Sequence, residues 1–373
     1  MSNPINLKEA SLHLLAAFDI GFEIRLSQIP VIFGSRQRIT NGYSFLARSI
    51  GRETLPVCVS WDSIRLQIGD QIFDFQTYLT FFDVGSMSFE ITAPLEVDLA
   101  RLPELTAKIH GSRELMQKLR EMAERVFKIA EPAVVAPSFF PTPSLFSVIN
   151  IQKLSENLSY PEVIEKLGPV VAQTLRTSTE DIGQNEVTRT LNPYVTYSDQ
   201  DIVFTSSNVA VIFDETSFDV VDIFEILNMQ FLELKFIDAK LDKTLQELYV
   251  PMENSSFPFS LFRTIPLLLE SDSSKLNTIH LDSTIITERV ELSFKFANDS
   301  YLVRIYELCV QKMFMNSYSR GIERKLKSIR DIMNDRRDRA STSRMEFLEW
   351  LIIVLISVDV VPRLFKFFWN QLF

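Results

Sequence analysis

Glycine is sparse and scattered: the 373 residues hold ten, and no two lie within seven positions of each other. Phosphate cradles of the G-x-x-x-x-G-K-[ST] or G-x-G-x-x-G type need clustered glycines, so that backbone N–H groups can converge on an anion. Neither pattern can be written from this chain, and neither can a G-x-S-x-G nucleophile turn. Cysteine is scarcer still. Cys58 and Cys309 sit far apart in apolar stretches, PVCVSW and YELCVQ, which excludes a CxxC site and a disulfide framework and points to a reducing compartment. Each reads as a small buried hydrophobe rather than a reactive thiol. The three histidines, His13, His110 and His280, occupy separate segments with no second His, Cys or Glu at ligand spacing, so no metal site is expected. Nucleophilic catalysis would need Cys58, or a serine that the fold brings beside one of those histidines. No catalytic, cofactor-binding or metal residue is assigned from sequence, and no cofactor is expected.

Positive charge is also in deficit. Lys and Arg number 38 against 48 Asp and Glu, and the net charge of −10 repels a polyanion wherever no local basic patch outweighs it. Nucleic-acid binding by the whole chain is therefore disfavoured, except through a basic C-terminal segment. The start, MSNPINLKEASLHLLAAF, has neither the basic n-region of a secretory signal nor the Arg-rich amphipathic pattern of an organellar presequence.

What is abundant is core material: 46% of the residues are hydrophobic and 30 are Phe, enough to fill a large interior. Strand-like runs are Leu12–Ala17, Pro56–Ser60, Ile64–Ile68, Tyr78–Asp83 and Ser86–Thr92, with a tight turn at Gly85. From Asp98 to Ala130 the apolar residues fall at helical spacing until Pro132 ends the pattern. The stretch PAVVAPSFFPTPS, with four prolines, reads as a linker. Beyond it come a strand at Ser144–Ile151, a helix at Tyr160–Leu175 and two strands, Asp201–Thr205 and Asn208–Phe213, meeting at Ser206–Ser207. The expected fold class is α+β. An N-terminal α/β region of two ferredoxin-like halves (1–131 and 144–213, joined by 132–143) is a duplication proposed from element order, with no repeat in the letters. A long antiparallel helical hairpin (214–335) and a basic, apolar C-terminal segment (336–373) follow.

The hairpin is read from two seams. Phe224, Leu227, Phe231, Leu234, Asp238, Leu241, Leu245 and Leu248 alternate in steps of three and four, as do Leu292, Phe296, Asp299, Val303, Tyr306, Val310 and Met313. Prolines at 251, 258 and 266 give room to reverse the chain, and a slip at residues 316–321 suggests a kink at Gly321. Each seam carries one carboxylate, Asp238 or Asp299. Such a residue fixes register at a cost in stability, or else the helix rotates slightly so that Ile237 packs and Asp238 meets water.

Residues 320–344 hold nine cations, among them Arg324, Lys325, Lys327, Arg330, Arg336, Arg337, Arg339 and Arg344, against four carboxylates. The run FLEWLIIVLISVDVVPRLFKFFWNQLF follows. Its unbroken apolar core, Trp350–Ile356, is shorter than the ~20 residues that span a bilayer. Trp350, Phe367, Phe368 and Trp369 resemble interfacial aromatics, and Arg363 and Lys366 can snorkel. A basic stretch ahead of an apolar-aromatic helix is what anionic lipid attracts. The alternatives are a solvated helix face for the cations and a buried terminal helix or oligomer interface for the apolar run.

Together the stretches DIVFTSSNVAVIFD, LNMQFLELKFIDAKLDKTLQELY, NDSYLVRIYELCVQKM, RKLKSIRDIM and RMEFLEWLIIVLISVDVV resemble the "required for meiotic nuclear division" family over about residues 195–361, and FFDVGSMSFEITAPL fits its bacterial members. The resemblance implies an α/β part, a long helical pair, a C-terminal membrane helix and no established catalytic residues. It also implies a link to translation, since the mitochondrial member supports organellar ribosomes. Lacking a presequence, this chain fits the cytoplasmic face of a bacterial inner membrane; a soluble cytoplasmic protein is the alternative. The expected function is a non-enzymatic, membrane-tethered scaffold or adaptor, homo-oligomeric, with an anionic membrane surface and an unidentified protein as partners. The alternative is a soluble enzyme or ligand-binding protein with a pocket between the α/β halves.

Overall fold

A computed structural model describes residues 5–34, 56–215, 218–253 and 300–335. Its centre is a seven-stranded sheet built from β1 (Leu7–Asp19), β3 (Val57–Ile68), β4 (Gln71–Phe81), β5 (Ser86–Pro94), β7 (Ser144–Leu154), β8 (Ile202–Thr205) and β9 (Val209–Phe213). The strand order is β3-β4-β5-β1-β7-β9-β8. Neighbours are antiparallel except β7 and β9, which run parallel with Ser147 opposite Val209. The short strands β2 (Gly21–Ile24) and β6 (Val134–Pro137) make a separate ribbon. Four residues of the Pro-rich stretch, Val134–Pro137, are thus used as a strand, on an edge where missing N–H donors do no harm.

The sheet does not divide where two halves were expected. Hydrophobic β1 lies between β5 and β7, so residues from both sides of the prolines share one ladder. β3 is one strand rather than two because Asp62 and Ser63 form a bulge between the Trp61 and Ile64 pairings. At Gly85 φ is +92°, and a Cβ there would run into the backbone carbonyl of Gly21, so only glycine serves this turn.

Helices cover both faces. On the first lie α2 (Leu102–Gly111), α3 (Arg113–Ala130), α4 (Tyr160–Leu175) and α5 (Gln184–Leu191), after a short α1 (Ile29–Phe33). The expected helix over 98–130 is two, because Ser112 leaves helical geometry and caps α3 by accepting from Leu115 N at 3.1 Å. Leu115, Leu119, Met122 and Val126 then fall inward at three- and four-residue steps. They meet Leu12, Leu14, Ala16 and Phe18 of β1 in the main core, where Phe18 stands edge-on to Phe89 at 5.9 Å.

The second face carries α6 (Phe218–Glu253) and α7 (Ser300–Lys312). Phe224 stacks on Phe146 of β7 at 5.2 Å, and Asn228 Nδ2 donates to the carbonyls of Leu15 and Ser144 at 3.0 and 2.8 Å. Tyr301 donates to Asp201 at 3.0 Å, and the buried Cys309 thiol bonds Thr205. The chain divides into two compact units, Met1–Asp238 with Pro266–Arg320, and Ala239–Ile265 with Gly321–Phe373.

Within the first unit, α6 and the stretch from 300 to 320 run the same way. Val220 and Leu302 line one cleft, and eleven residues on along α6, Phe231 meets Tyr318 edge-on at 5.3 Å. This differs from the antiparallel pairing expected; 46 residues separate the two helices, far more than a hairpin turn needs. The break between helices also falls earlier than expected. It lies at Met313–Phe314, where Phe314 has φ +56°, and the helical residues 315–335 that follow (α8) are unbroken at Gly321. Among the described residues no helix is long and apolar enough to cross a membrane.

Candidate functional site

The second face of the sheet is polar, and it is buried. Second-face positions include Ser11 and His13 on β1, Ser86, Ser88 and Glu90 on β5, Thr80 on β4, and Ser144 and Asn150 on β7, interspersed with Leu15, Ala17, Phe146 and Val148. α6 answers with Glu225, Asn228 and Glu233. Thr80 Oγ1 donates to Glu225 at 3.4 Å, and Ser86 Oγ donates to Glu233. Burying so many polar groups is tolerable only when they satisfy one another.

Within this layer three side chains form a line. His13 Nδ1 lies 3.0 Å from Glu90 Oε1, and His13 Nε2 lies 3.0 Å from Ser11 Oγ. The strand pleat sets the spacing: Ser11 and His13, two apart, share a face, while Glu90 is brought from the neighbouring strand, where Leu15 pairs with Glu90. His13 and Glu90 are 5% and 7% exposed and Ser11 is half-buried, so the line is sealed at its acid end and more open at its hydroxyl end. On β7, Asn150 pairs with Ser11, and Gln152 Nε2 donates to Ser11 Oγ at 3.4 Å. The side-chain carbonyl oxygens of Asn150 and Gln152 are buried without a hydrogen-bond partner.

Gln152 also lines an open cleft of about 1070 Å³ beyond the C-terminal ends of the parallel strands β7 and β9. Ligands of open α/β sheets gather outside the carboxyl ends of parallel strands. The cleft wall holds Glu156, Asp201, Asp214, Glu215 and Asp219, and Lys153 is the one cation among its lining residues. Asp201 is committed to the fold, accepting from Tyr197 N at 2.9 Å and from Tyr301. Burial and the Asp201 carboxylate together push the Tyr301 phenol upward, so it stays a donor at all ordinary pH.

A second serine–histidine contact, Ser147 Oγ to His110 Nε2 at 3.0 Å, lies on the first face, where burial pushes the His110 ring down to about 4. That ring is neutral, and among the described residues no carboxylate bonds it. Among the described residues no group of three His, Cys, Asp or Glu is arranged to hold a metal.

The residues singled out from sequence lie elsewhere. Arg324, Lys327 and Arg330 are placed on α8, which turns Ile322 and Ile329 inward, while Lys325 is engaged by Asp242 at 2.7 Å. Ile237 is buried and Asp238 half-buried. Arg336, Arg337, Arg339, Arg344, Trp350, Trp369 and Asp299 lie outside the described residues. The Ser11–His13–Glu90 line escaped sequence reading because its acid is 77 residues from its histidine. The one available signal was Ser-x-His on a strand.

Sheet, layers and cleft define a mixed α+β protein with one large, mostly antiparallel sheet between helical layers. A family model described as "Uncharacterized protein MJ0711, N-terminal domain" matches residues 9–219, more than half of the chain, and the chain belongs to that family. Uncharacterized protein MJ0711 of Methanocaldococcus jannaschii is 20% identical over 199 residues, a match covering 53% of this chain and 59% of that relative's length. No solved structure matches the chain.

Proposed function

We propose that the protein is a membrane-tethered scaffold or adaptor, with the sheet body displayed on the cytoplasmic side and the C-terminal region on lipid. The observation that carries this reading is α8, where Arg324, Lys327 and Arg330 follow one another at three-residue steps while Ile322 and Ile329 turn inward. Basic residues are thereby offered together immediately ahead of Arg336, Arg337, Arg339 and Arg344 and the aromatic run bounded by Trp350 and Trp369. A cluster of this kind gains about 1 kcal/mol per cation at an anionic leaflet, and the gain is screened by salt. The likeness to the "required for meiotic nuclear division" family supports the same arrangement, and with it a translation-related partner.

Flotation with vesicles containing phosphatidylserine tests the proposal. The full chain should float with anionic vesicles, less so at high salt, and Arg336→Glu, Arg337→Glu and Arg339→Glu together should release it. Recovery of the native protein wholly in the soluble fraction of gently broken cells would contradict tethering.

A further inference from the structure

We propose that Ser11 is a nucleophile for acyl transfer, with His13 as its base, Glu90 as the group that positions the histidine, and a small neutral or cationic carboxylic ester as the class of substrate. This goes beyond the tether and is independent of it.

The geometry supplies each part. With its Nδ1–H directed at Glu90, His13 presents Nε2 as an acceptor 3.0 Å from Ser11 Oγ, which is the connection that lets a hydroxyl lose its proton as it attacks. Glu90 is buried and bonded to the ring, so it fixes the ring's tautomer and orientation. Oxyanion donors in such sites are backbone or Asn and Gln amides. Two amide side chains flank Ser11 from the adjacent strand: Gln152, whose Nε2 already reaches Oγ at 3.4 Å, and Asn150, directly opposite in the ladder. Gln152 both bonds the half-buried serine and lines the cleft, and the proposed route in runs past its side chain. The carboxylates along that wall outnumber its one lining cation, Lys153, so they repel anionic substrates and favour neutral or positively charged ones.

The step balances without any further reagent than water. Ser11 Oγ bonds to the ester carbonyl carbon as its proton passes to His13 Nε2. The Gln152 amide N–H meets the tetrahedral oxyanion. The bond from carbonyl carbon to leaving alcohol then breaks, and His13 returns the proton to that alcohol. Water attacks the acyl-serine, gives a proton to His13, and releases the acid as the proton returns to Oγ.

Full-length protein treated with a biotinylated fluorophosphonate, then digested and mapped by mass, should carry one adduct, on Ser11. Ser11→Ala should abolish it, and His13→Gln should slow labelling at least tenfold, while Ser147→Ala, on the opposite face, should leave it unchanged. With acetylcholine as ester, Glu90→Gln should lower kcat with KM unaltered, and wild-type kcat/KM should exceed that for an anionic ester of the same acyl group. Ser11→Cys tests access separately, since iodoacetamide should alkylate the introduced thiol in the folded protein. A folded wild type that gives no adduct at Ser11, or a Ser11→Cys variant whose new thiol resists alkylation until the chain unfolds, overturns the proposal.

Discussion

The two faces of the central sheet are built from the same strands and are both largely buried, yet they are held by different physics. On the first face Leu12, Leu14, Ala16 and Phe18 pack among aliphatic and aromatic side chains from four helices. One residue along each time, the second face shows Ser11, His13, Leu15 and Ala17, and it meets α6 through Glu225, Asn228 and Glu233. The first face holds by shape and area, which tolerate many neighbours. On the second, hydrogen bonds that each need one particular partner add to the Phe224–Phe146 stack and a small apolar cluster. That contrast explains why α6 is buried nearly all round between Val220 and Leu234 while still carrying charge. A helix sealed against a polar sheet face can keep carboxylates inside if hydroxyls await them. The contrast can be broken at either face.

The largest effect is expected on the apolar side. Phe18→Ala empties a site packed between Phe89 and Phe139 and should cost about 3–5 kcal/mol of unfolding free energy, read from urea titration. A loss under about 1 kcal/mol would mean that this face is not the principal core.

Next comes the polar pair that the apolar face encloses. Burial lowers the His110 pKa from 6.5 to about 4, so between those values the unfolded chain takes up a proton that the folded ring refuses. The stability is complete above the unfolded value and falls as pH drops through the window, by about 1.4 kcal/mol per unit and about 3 kcal/mol in all. Urea midpoints measured from pH 7 to 4 should show this acid limb, and His110→Gln should flatten it.

On the polar face, Asn228→Ala leaves two backbone carbonyls in β1 and β7 without their donor and should cost about 1–3 kcal/mol. If Asn228→Leu proved as stable as wild type, the second face would be an ordinary apolar interface with incidental polar atoms. Smallest, Ser112→Ala removes the cap of α3 and should cost about 1 kcal/mol, with no change in serine labelling.

How much of this was legible depends on the range of the interaction involved. Helix Tyr160–Leu175 could be placed from its start at Ser159 and Pro161 and its apolar period, because caps and amphipathic spacing are written within a few residues. Strand β3 read as two because a bulge at Asp62–Ser63 breaks alternation without ending the ladder. The apolar steps of α6 were visible as a seam, but a seam states only which residues leave water, not what covers them. Here a sheet does so on one side, and the following helical stretch runs parallel rather than back along it. The Ser11–His13–Glu90 line was invisible for the same reason: its members meet across strands, and no local signal links β1 to β5.

The amino-acid sequence by itself determined most of the helices and strands of the sheet body, the tight turn at Gly85, that the interior is rich in Phe, and that cations cluster toward the C-terminus. Each of those follows from backbone sterics, side-chain period or composition, all of which act locally. Only the tertiary structure decided that one sheet unites the chain across its prolines, that its second face is both polar and dry, and that a serine, a histidine and a glutamate stand in line there. Strand order and register bring distant residues within hydrogen-bond reach, and that choice is made by the packing of the whole body.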